Sequence, residues 1–228
     1  ISLGFGDKTV RETCEDNGVD TYTFLAVVNY TINGNTDFEN DDQISVPTLL
    51  HYLKASHIYF LDFQLPFIRR ELDEAIDDGD SLGMLIMKFY DSYAHEIREH
   101  MHYEERKLFP YVQSLLAGRL DDEYNIGLFT RHHTQADEKL KELKTLIIKY
   151  LPPDHQRNNK LIAALHDVYN NEEWLHLHRE VEERIFLPAI RRLERTAQQS
   201  DVARNISSMV FKNGSDNGEA LSDRERGV

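Results

Sequence analysis

One sequence pattern, present twice, constrains this chain more than any other feature. A segment that begins at His100 is followed 78 residues later by one that begins at His178, and both carry a histidine, two adjacent glutamates, an arginine and a proline at the same offsets. The first glutamate comes four residues after the histidine, which is about 1.1 helical turns, so the two side chains share one helix face. The pattern therefore predicts two related helices, each able to offer one imidazole and one carboxylate to the same metal centre.

Apolar residues at three- and four-residue steps predict four long helices. We expect these helices over residues 45–78, 81–117, 122–150 and 155–198. Short polar connections between long helices favour antiparallel neighbours, so the expected fold is all-α, an up-down-up-down antiparallel four-helix bundle. Pro66, Pro110 and Pro188 fall inside three of these helices, and we expect kinks at comparable heights because an interior proline removes a hydrogen bond.

Composition divides the chain into three parts. Residues 1–44 are expected to form a small helical segment and a linker, with short helices near 7–16 and 21–30 and an acidic, Gly/Asn-rich run over 33–42. The bundle is assigned to residues 45–199. Residues 200–228 are polar and rich in Gly, Asn and Ser, and we expect a flexible tail there.

Charge and cysteine content exclude several classes of function. The net charge of −14 argues against general binding to nucleic acid or to an anionic membrane. No apolar run approaches the roughly 18 residues that a membrane span needs, and nothing resembles a signal peptide. The single cysteine, Cys14, has no partner for an internal disulfide. A reducing cytoplasm is therefore the simplest compartment for this protein.

The two remaining helices each carry one histidine in the apolar stripe, His57 in the first and His133 in the third, 76 residues apart. If the middles of the four helices lie at one level, four imidazoles and two carboxylates meet in the core. The glutamates can then bridge two metal ions, with two histidines on each ion. This donor set suits iron or manganese better than zinc. The predicted metal ligands are His57, His100, Glu104, His133, His178 and Glu182.

The third helix leaves its ligands open. His132 competes with His133 for the ligand position, and we favour His133 because it is in phase with the apolar residues Leu140 and Leu143. Asp137 lies one turn later on the same face. It could be a further ligand, an acceptor for a ligand's N–H group or a polar wall.

Three other glutamates lie close to the predicted ligands in the sequence. Glu96, one turn before His100, could orient a metal-bound histidine or line a water path. Glu105 and Glu183 are rotated about 100° from the ligand face. We predict that they form surface salt bridges with basic residues such as Arg106 and Arg184.

A bundle with unmetallated His–Glu pairs is the structural alternative. A single histidine in an apolar stripe is more often an ordinary hydrogen-bonded residue than a ligand, and a single His–Glu pair is common on solvated helices. Four such histidines in register, two of them with repeated glutamates, are much harder to obtain by coincidence. Two facing carboxylates in a core are also costly unless a cation lies between them. The pattern therefore favours a metal site.

At these residues the chain resembles the hemerythrin-like, HHE cation-binding family, over roughly residues 45–195. The resemblance implies a four-helix bundle with a non-haem di-iron centre, in which Glu104 and Glu182 bridge two irons together with an oxo or hydroxo group. In the arrangement expected from it, one iron is held by the first two histidines and the other by the last two, that is, by His57 with His100 and by His133 with His178.

Two differences from the oxygen-carrying members point to one branch of the family. Those members have His-x-x-x-His in the third helix and end with His-x-x-x-x-Asp, whereas this chain has His133 followed by Asp137, and later His-x-x-x-Glu. Both differences favour the iron–sulfur cluster repair (Ric) branch. That branch implies protection or repair of iron–sulfur clusters under oxidative or nitrosative stress, with oxygen or nitric oxide as the small ligand and iron–sulfur proteins as partners.

The two ends of the chain add to this comparison. Residues 6–20 resemble part of the small helical domain that precedes the bundle in the repair branch, although the adjacent cysteine pair of that domain is replaced here by Cys14 alone. Residues 221–226 resemble the start of a LuxR-type helix-turn-helix domain. The alternative function is therefore an oxygen-, nitric oxide- or redox-sensing domain of a transcriptional regulator. No recognition helix follows within this sequence, so we expect no nucleic-acid binding by this portion alone.

Overall fold

The computed structural model describes residues 1, 4–34, 42–76, 81–120, 124–129, 136–150, 155–200 and 202, and all regular elements in these ranges are helices. The predicted all-α class is therefore confirmed. Most of the predicted linker, both candidate histidines of the third helix (His132 and His133) and nearly all of the C-terminal tail lie outside the described residues.

Two short helices, α1 (Val10–Asp16) and α2 (Thr21–Asn33), form the N-terminal segment. A capping box starts α1: the Thr9 hydroxyl accepts from the backbone N–H of Glu12 at 3.3 Å, and the Glu12 carboxylate accepts from the Thr9 N–H at 2.8 Å. Gly18, with φ of 63°, turns the chain towards α2. Cys14 is a free thiol with 0% exposure.

Three of the predicted long helices consist of two α segments joined by a short π segment, a turn in which N–H groups bond to carbonyls five residues earlier. In chain order, the elements are α3 (Val46–Ile58), π1 (Tyr59–Gln64), α4 (Leu65–Ala75), α5 (Ser81–Tyr103), π2 (Glu104–Leu108), α6 (Phe109–Leu116), α7 (Ile126–Phe129), α8 (Ala136–Tyr150), α9 (His155–Val181), π3 (Glu182–Phe186) and α10 (residues 187–200). The first, second and fourth predicted helices thus lie near their expected bounds, and α7 and α8 fall within the third.

Each π segment ends two residues before one of the three prolines at which the sequence predicts a kink. A proline has no N–H group, and its ring crowds the carbonyl four residues earlier. The residue before each proline instead donates its N–H to the carbonyl five residues earlier, as Leu65 does to Phe60, Phe109 to Glu104 and Leu187 to Glu182. As a result, π2 and π3 each begin at a glutamate that is predicted to be a metal ligand.

The buried apolar residues form two clusters, and the five predicted ligands that the structure describes lie between them along the helices. The first cluster includes the N-terminal helix α2 and is represented by Val27, Leu49, Val112 and Ile190. In the second, α4 packs along α9 and α5 packs along α8, as represented by Ile68, Tyr90, Leu143 and Val168. A polar layer therefore separates two apolar layers. Within the described ranges, no helix has the length and apolar character that crossing a membrane would require.

Tyr30 links the N-terminal helices to the bundle, because its hydroxyl donates to Oε2 of Glu180 at 2.5 Å. We expect Tyr30→Phe to lower the free energy of unfolding by about 1.5–3 kcal/mol, the contribution of a hydrogen bond to a charged group. Urea denaturation measures the loss. The control is Tyr169→Phe, which removes a hydroxyl from an exposed side chain and should change stability by less than about 0.5 kcal/mol. Equal losses in the two variants would contradict the assigned link.

Candidate metal centre

Four buried side chains from three long helices converge in the polar layer. His57 comes from α3, Glu104 from the start of π2, His178 from α9 and Glu182 from the start of π3. One donor atom of each lies within 4.8 Å of the corresponding atoms of the other three. The exposed fractions are 0% for His57, 0% for Glu104, 4% for His178 and 1% for Glu182. The four side chains are therefore removed from solvent and close enough to hold one metal ion.

The contacts inside this cluster are short but are not hydrogen bonds. Nε2 of His57 lies 3.0 Å from Oε2 of Glu104, and Nε2 of His178 lies 3.3 Å from Oε1 of Glu182. None of these atoms has a hydrogen-bond partner among the described residues, nor have the other carboxylate oxygens of Glu104 and Glu182. Buried polar atoms in folded proteins are nearly always satisfied. A cation between them would satisfy all of them at once, so the donor set fits a metal ion.

Burial and like charge give the two carboxylates different pKa values. Burial raises the pKa of Glu182, and the negative charge of Glu104 raises it further. Burial also raises the pKa of Glu104, but its contacts with His100 and His57 outweigh that effect and lower the pKa to about 2. Burial opposes the charging of His178, yet the charge of Glu182 and its contact with the ring raise the His178 pKa. A divalent cation would remove the repulsion between the two carboxylates.

His100 contacts the cluster from its more open side. Its Nε2 lies 3.0 Å from Oε1 of Glu104, whereas Oε2 of the same carboxylate faces His57. The His100 side chain is 16% exposed. Glu104 thus presents each of its oxygens to a different histidine, which is the arrangement that a carboxylate bridging two metal ions needs.

The three described histidines are arranged around the carboxylates of Glu104 and Glu182. His57 and His178 belong to the same four-residue cluster, and their ring centroids are 5.4 Å apart. His100 approaches the other oxygen of Glu104. The first long helix packs along α9, so histidines that are far apart in sequence meet in space. The structure therefore places His57 and His178 in one four-residue group, with His100 at the other oxygen of Glu104, and which histidines share an ion stays a prediction.

The structure brings together five of the six predicted ligands, and the sixth, His133, lies outside the described residues. The same is true of the side chain of Asp137. Glu96 pairs with the Nζ group of Lys139 and is not a member of the four-residue cluster.

The predicted surface salt bridge of Glu105 with a basic neighbour such as Arg106 is wrong. Oε1 of Glu105 lies 3.2 Å from Nδ1 of His57, and Oε2 lies 3.2 Å from Nδ1 of His102. Arg106 instead lies 3.9 Å from Glu99. The rotation of Glu105 away from the ligand face, which suggested a surface position, turns it towards α3. A second residue that the sequence reasoning missed is Ser56, whose hydroxyl lies 3.0 Å from Nδ1 of His178.

An all-helical scaffold with a buried cluster of histidines and glutamates defines a metal-binding helical protein. Residues 48–190 match the family described as Hemerythrin HHE cation binding domain, and the matched stretch contains all six predicted ligands. The chain therefore belongs to the hemerythrin HHE cation-binding family. No curated protein and no solved structure gives a significant match.

Proposed function

We propose that this protein is a non-haem di-iron protein whose residues 45–199 form an up-down-up-down four-helix bundle. The observation that carries the proposal is the set of buried imidazole nitrogens and carboxylate oxygens that face each other without hydrogen bonds. Imidazole and carboxylate donors without a thiolate suit iron or manganese. Membership of the HHE family, together with the motif resemblance to its di-iron members, favours iron.

The chain offers ligands for two ions. One ion would be held by His57 and His178, and the other by His100 and His133, with Glu104 and Glu182 shared between them. When bound, two such ions supply a redox-active centre with coordination positions left for oxygen or nitric oxide. The protein itself shields the first position: the ring of Phe109 stacks on His57 at 5.2 Å between centroids, and the edge of Phe60 meets His178 at 5.8 Å. A small molecule would therefore approach from the more exposed side of His100.

We infer that the physiological role is protection or repair of iron–sulfur clusters under oxidative or nitrosative stress, with iron–sulfur proteins as partners. The glutamate at position 182 and the aspartate at position 137 support this assignment, because both differ from the pattern of the oxygen carriers. A cytoplasmic location fits the single free thiol, Cys14, which is buried.

A second candidate function is a sensor of oxygen, nitric oxide or redox state that controls an attached DNA-binding domain. The sequence of residues 221–226, which resembles the start of a LuxR-type helix-turn-helix, favours it. The reading frame beyond Val228 distinguishes the two candidates. A complete helix-turn-helix domain there would support the sensor.

Metal content tests the site directly. Protein purified without added metal should contain about two irons per chain, with near-ultraviolet absorption bands that bleach on reduction by dithionite. A folded protein that takes up no metal on reconstitution would overturn the proposal.

The repair role needs its own assay, in which an iron–sulfur enzyme inactivated by nitric oxide is incubated with the loaded protein. Recovery with the loaded protein, and none with the Glu104→Ala variant, would support repair; equal recovery without the protein would reject it.

A further inference from the structure

Two side chains outside the four-residue cluster contact the Nδ1 atoms of its two histidines. Glu105 directly follows Glu104, and its Oε1 lies 3.2 Å from Nδ1 of His57. Ser56 directly precedes His57, and its Oγ lies 3.0 Å from Nδ1 of His178. We propose that Glu105 and Ser56 are positioning residues that fix the tautomers of His57 and His178, and that Glu105 dominates the affinity of the position these histidines share. The metal-binding part of this inference rests on the proposed function, whereas the tautomer part does not.

The tautomer argument follows from the hydrogen-bonding capacity of imidazole. A neutral ring carries one N–H group and one lone pair, and the partner of one nitrogen decides which role the other plays. With the Nδ1 proton of His57 donated to Glu105, the Nε2 lone pair is directed at the cluster. Nε2 is the atom of His57 that lies 3.0 Å from Glu104. The hydrogen bond at Nδ1 thus leaves Nε2 of His57 free to act as a metal ligand.

The direction of the bond at Ser56 is set by a second contact. Its hydroxyl donates to the backbone carbonyl of Leu53 at 2.8 Å, so its proton is already engaged. The remaining lone pairs of the oxygen can only accept, and Nδ1 of His178 must be the donor. Nε2 of His178 is then left with its lone pair towards the cluster.

Glu105 is held in place on its other side. Its second oxygen lies 3.2 Å from Nδ1 of His102, and its side chain is 37% exposed, whereas that of His57 is 0% exposed. One carboxylate therefore spans a half-exposed ring and a fully buried one.

The two positioning groups differ in strength because one is a carboxylate and the other a hydroxyl. A hydrogen bond from a histidine to a carboxylate raises the basicity of the ring more than one to a neutral oxygen, and such partners commonly change metal affinity by about 10–100-fold. The position shared by His57 and His178 should therefore depend strongly on Glu105 and weakly on Ser56.

The same contacts cross-link three long helices through pairs of adjacent residues. In Ser56-His57, the histidine faces the cluster and the serine holds His178 of α9. In Glu104-Glu105, the first carboxylate faces the cluster and the second holds His57 of α3. The sequence neighbours of the ligands thus have a function of their own, which the spacing of the ligands does not show.

The first test uses the metal-free protein and needs no bound iron. Nitrogen-15 NMR of the histidine rings at mildly alkaline pH should show His57 protonated at Nδ1 in the wild type. Glu105→Ala should lose that preference while His178 keeps its own. A wild-type His57 protonated at Nε2 would overturn the assignment. Glu105→Gln keeps an acceptor oxygen and the side-chain volume, so it replaces the alanine variant if circular dichroism shows that the latter is unfolded.

The second test is a titration with ferrous iron under anaerobic conditions. Glu105→Ala should weaken one of the two ions by about 10–100-fold and leave the other unchanged, whereas Ser56→Ala should weaken the same ion by less than about tenfold. Glu99→Gln is the matched control, because Glu99 precedes the same π segment, is 55% exposed and pairs only loosely with Arg106, at 3.9 Å. Wild-type affinity for both ions in Glu105→Ala would overturn the inference. A wild type that binds no iron would instead reject the proposed function, and the NMR result would still decide the positioning role.

Discussion

Replacing Glu104 with alanine is expected to remove both metal ions from the protein. Its two oxygens lie 3.0 Å from Nε2 of His57 and 3.0 Å from Nε2 of His100, so a single substitution removes a ligand from each proposed position. The affinity for iron should fall by more than about 100-fold, since even residues that only support a ligand commonly account for 10–100-fold. Metal analysis after equilibrium dialysis against ferrous iron measures the change.

Two further variants make this result specific. Glu182→Ala should also lose iron, because Glu182 is the second shared carboxylate and lies in the same cluster. Glu99→Ala, on the same long helix but 55% exposed, should retain the wild-type iron content. Two irons per chain in the Glu104→Ala variant would show that Glu104 does not bridge the ions.

Replacing Glu182 with glutamine is expected to have opposite effects on the metal-free and the iron-loaded protein. Burial and the charge of Glu104 raise the pKa of Glu182, so its ionisation opposes folding in the absence of metal. An amide at this position carries no charge and can donate to Glu104. We expect the metal-free variant to be more stable than the metal-free wild type by about 1.5–3 kcal/mol, the range for a hydrogen bond to a charged group.

The pH dependence of this gain has a definite sign. The raised pKa means that the folded wild type holds a proton on Glu182 that the unfolded chain releases above its ordinary pKa of 4.5. The stability contributed by that proton is complete below the ordinary pKa and is lost as pH rises through the raised pKa. The advantage of the Glu182→Gln variant should therefore be small in acid and should grow as pH rises.

Iron should reverse the order of stability. A ligand present at 1,000 times its dissociation constant adds about 4 kcal/mol to the free energy of unfolding, and the wild type should gain this while Glu182→Gln gains little. Urea denaturation with and without iron, at several pH values, measures both effects. A metal-free variant that is less stable than the metal-free wild type at neutral pH would contradict the picture of two repelling carboxylates.

Local geometry explains which parts of the site could be predicted from sequence. The His100–Glu104 and His178–Glu182 pairs lie four residues apart, and that spacing places both members on one helix face wherever the helix is packed. His57 is predicted from a different local signal, its position in the apolar stripe of the first helix. The long helices themselves were found because their apolar periodicity persists over many turns.

The remaining features depend on which helices are neighbours, and spacing carries no information on that. The rotation of Glu105 away from Glu104 predicts a surface position, but the neighbouring α3 places His57 against it. Ser56 could not be recognised because its partner, His178, is 122 positions away. The grouping of His57 with His178 has the same origin.

The prolines predict where the helices become irregular, but not that the irregularity is a π segment. Pro110 marked a position at which the regular hydrogen-bond pattern must fail, but a bend and a wider turn both solve that problem. The wider turn occurs, and it begins at Glu104. The choice between the two depends on how the neighbouring helices pack.

The fully buried thiol of Cys14 provides a probe for opening of the N-terminal segment. It is the single cysteine of the chain and has 0% exposure, so a thiol reagent reaches it only when the surrounding helices separate. Tyr30 and Val27 of the neighbouring α2 belong to the apolar cluster on one side of the polar layer. The rate at which Cys14 is alkylated therefore measures how often the N-terminal segment opens around α1. Comparing the alkylation rate with and without bound iron would show whether metal binding also stabilises the N-terminal segment.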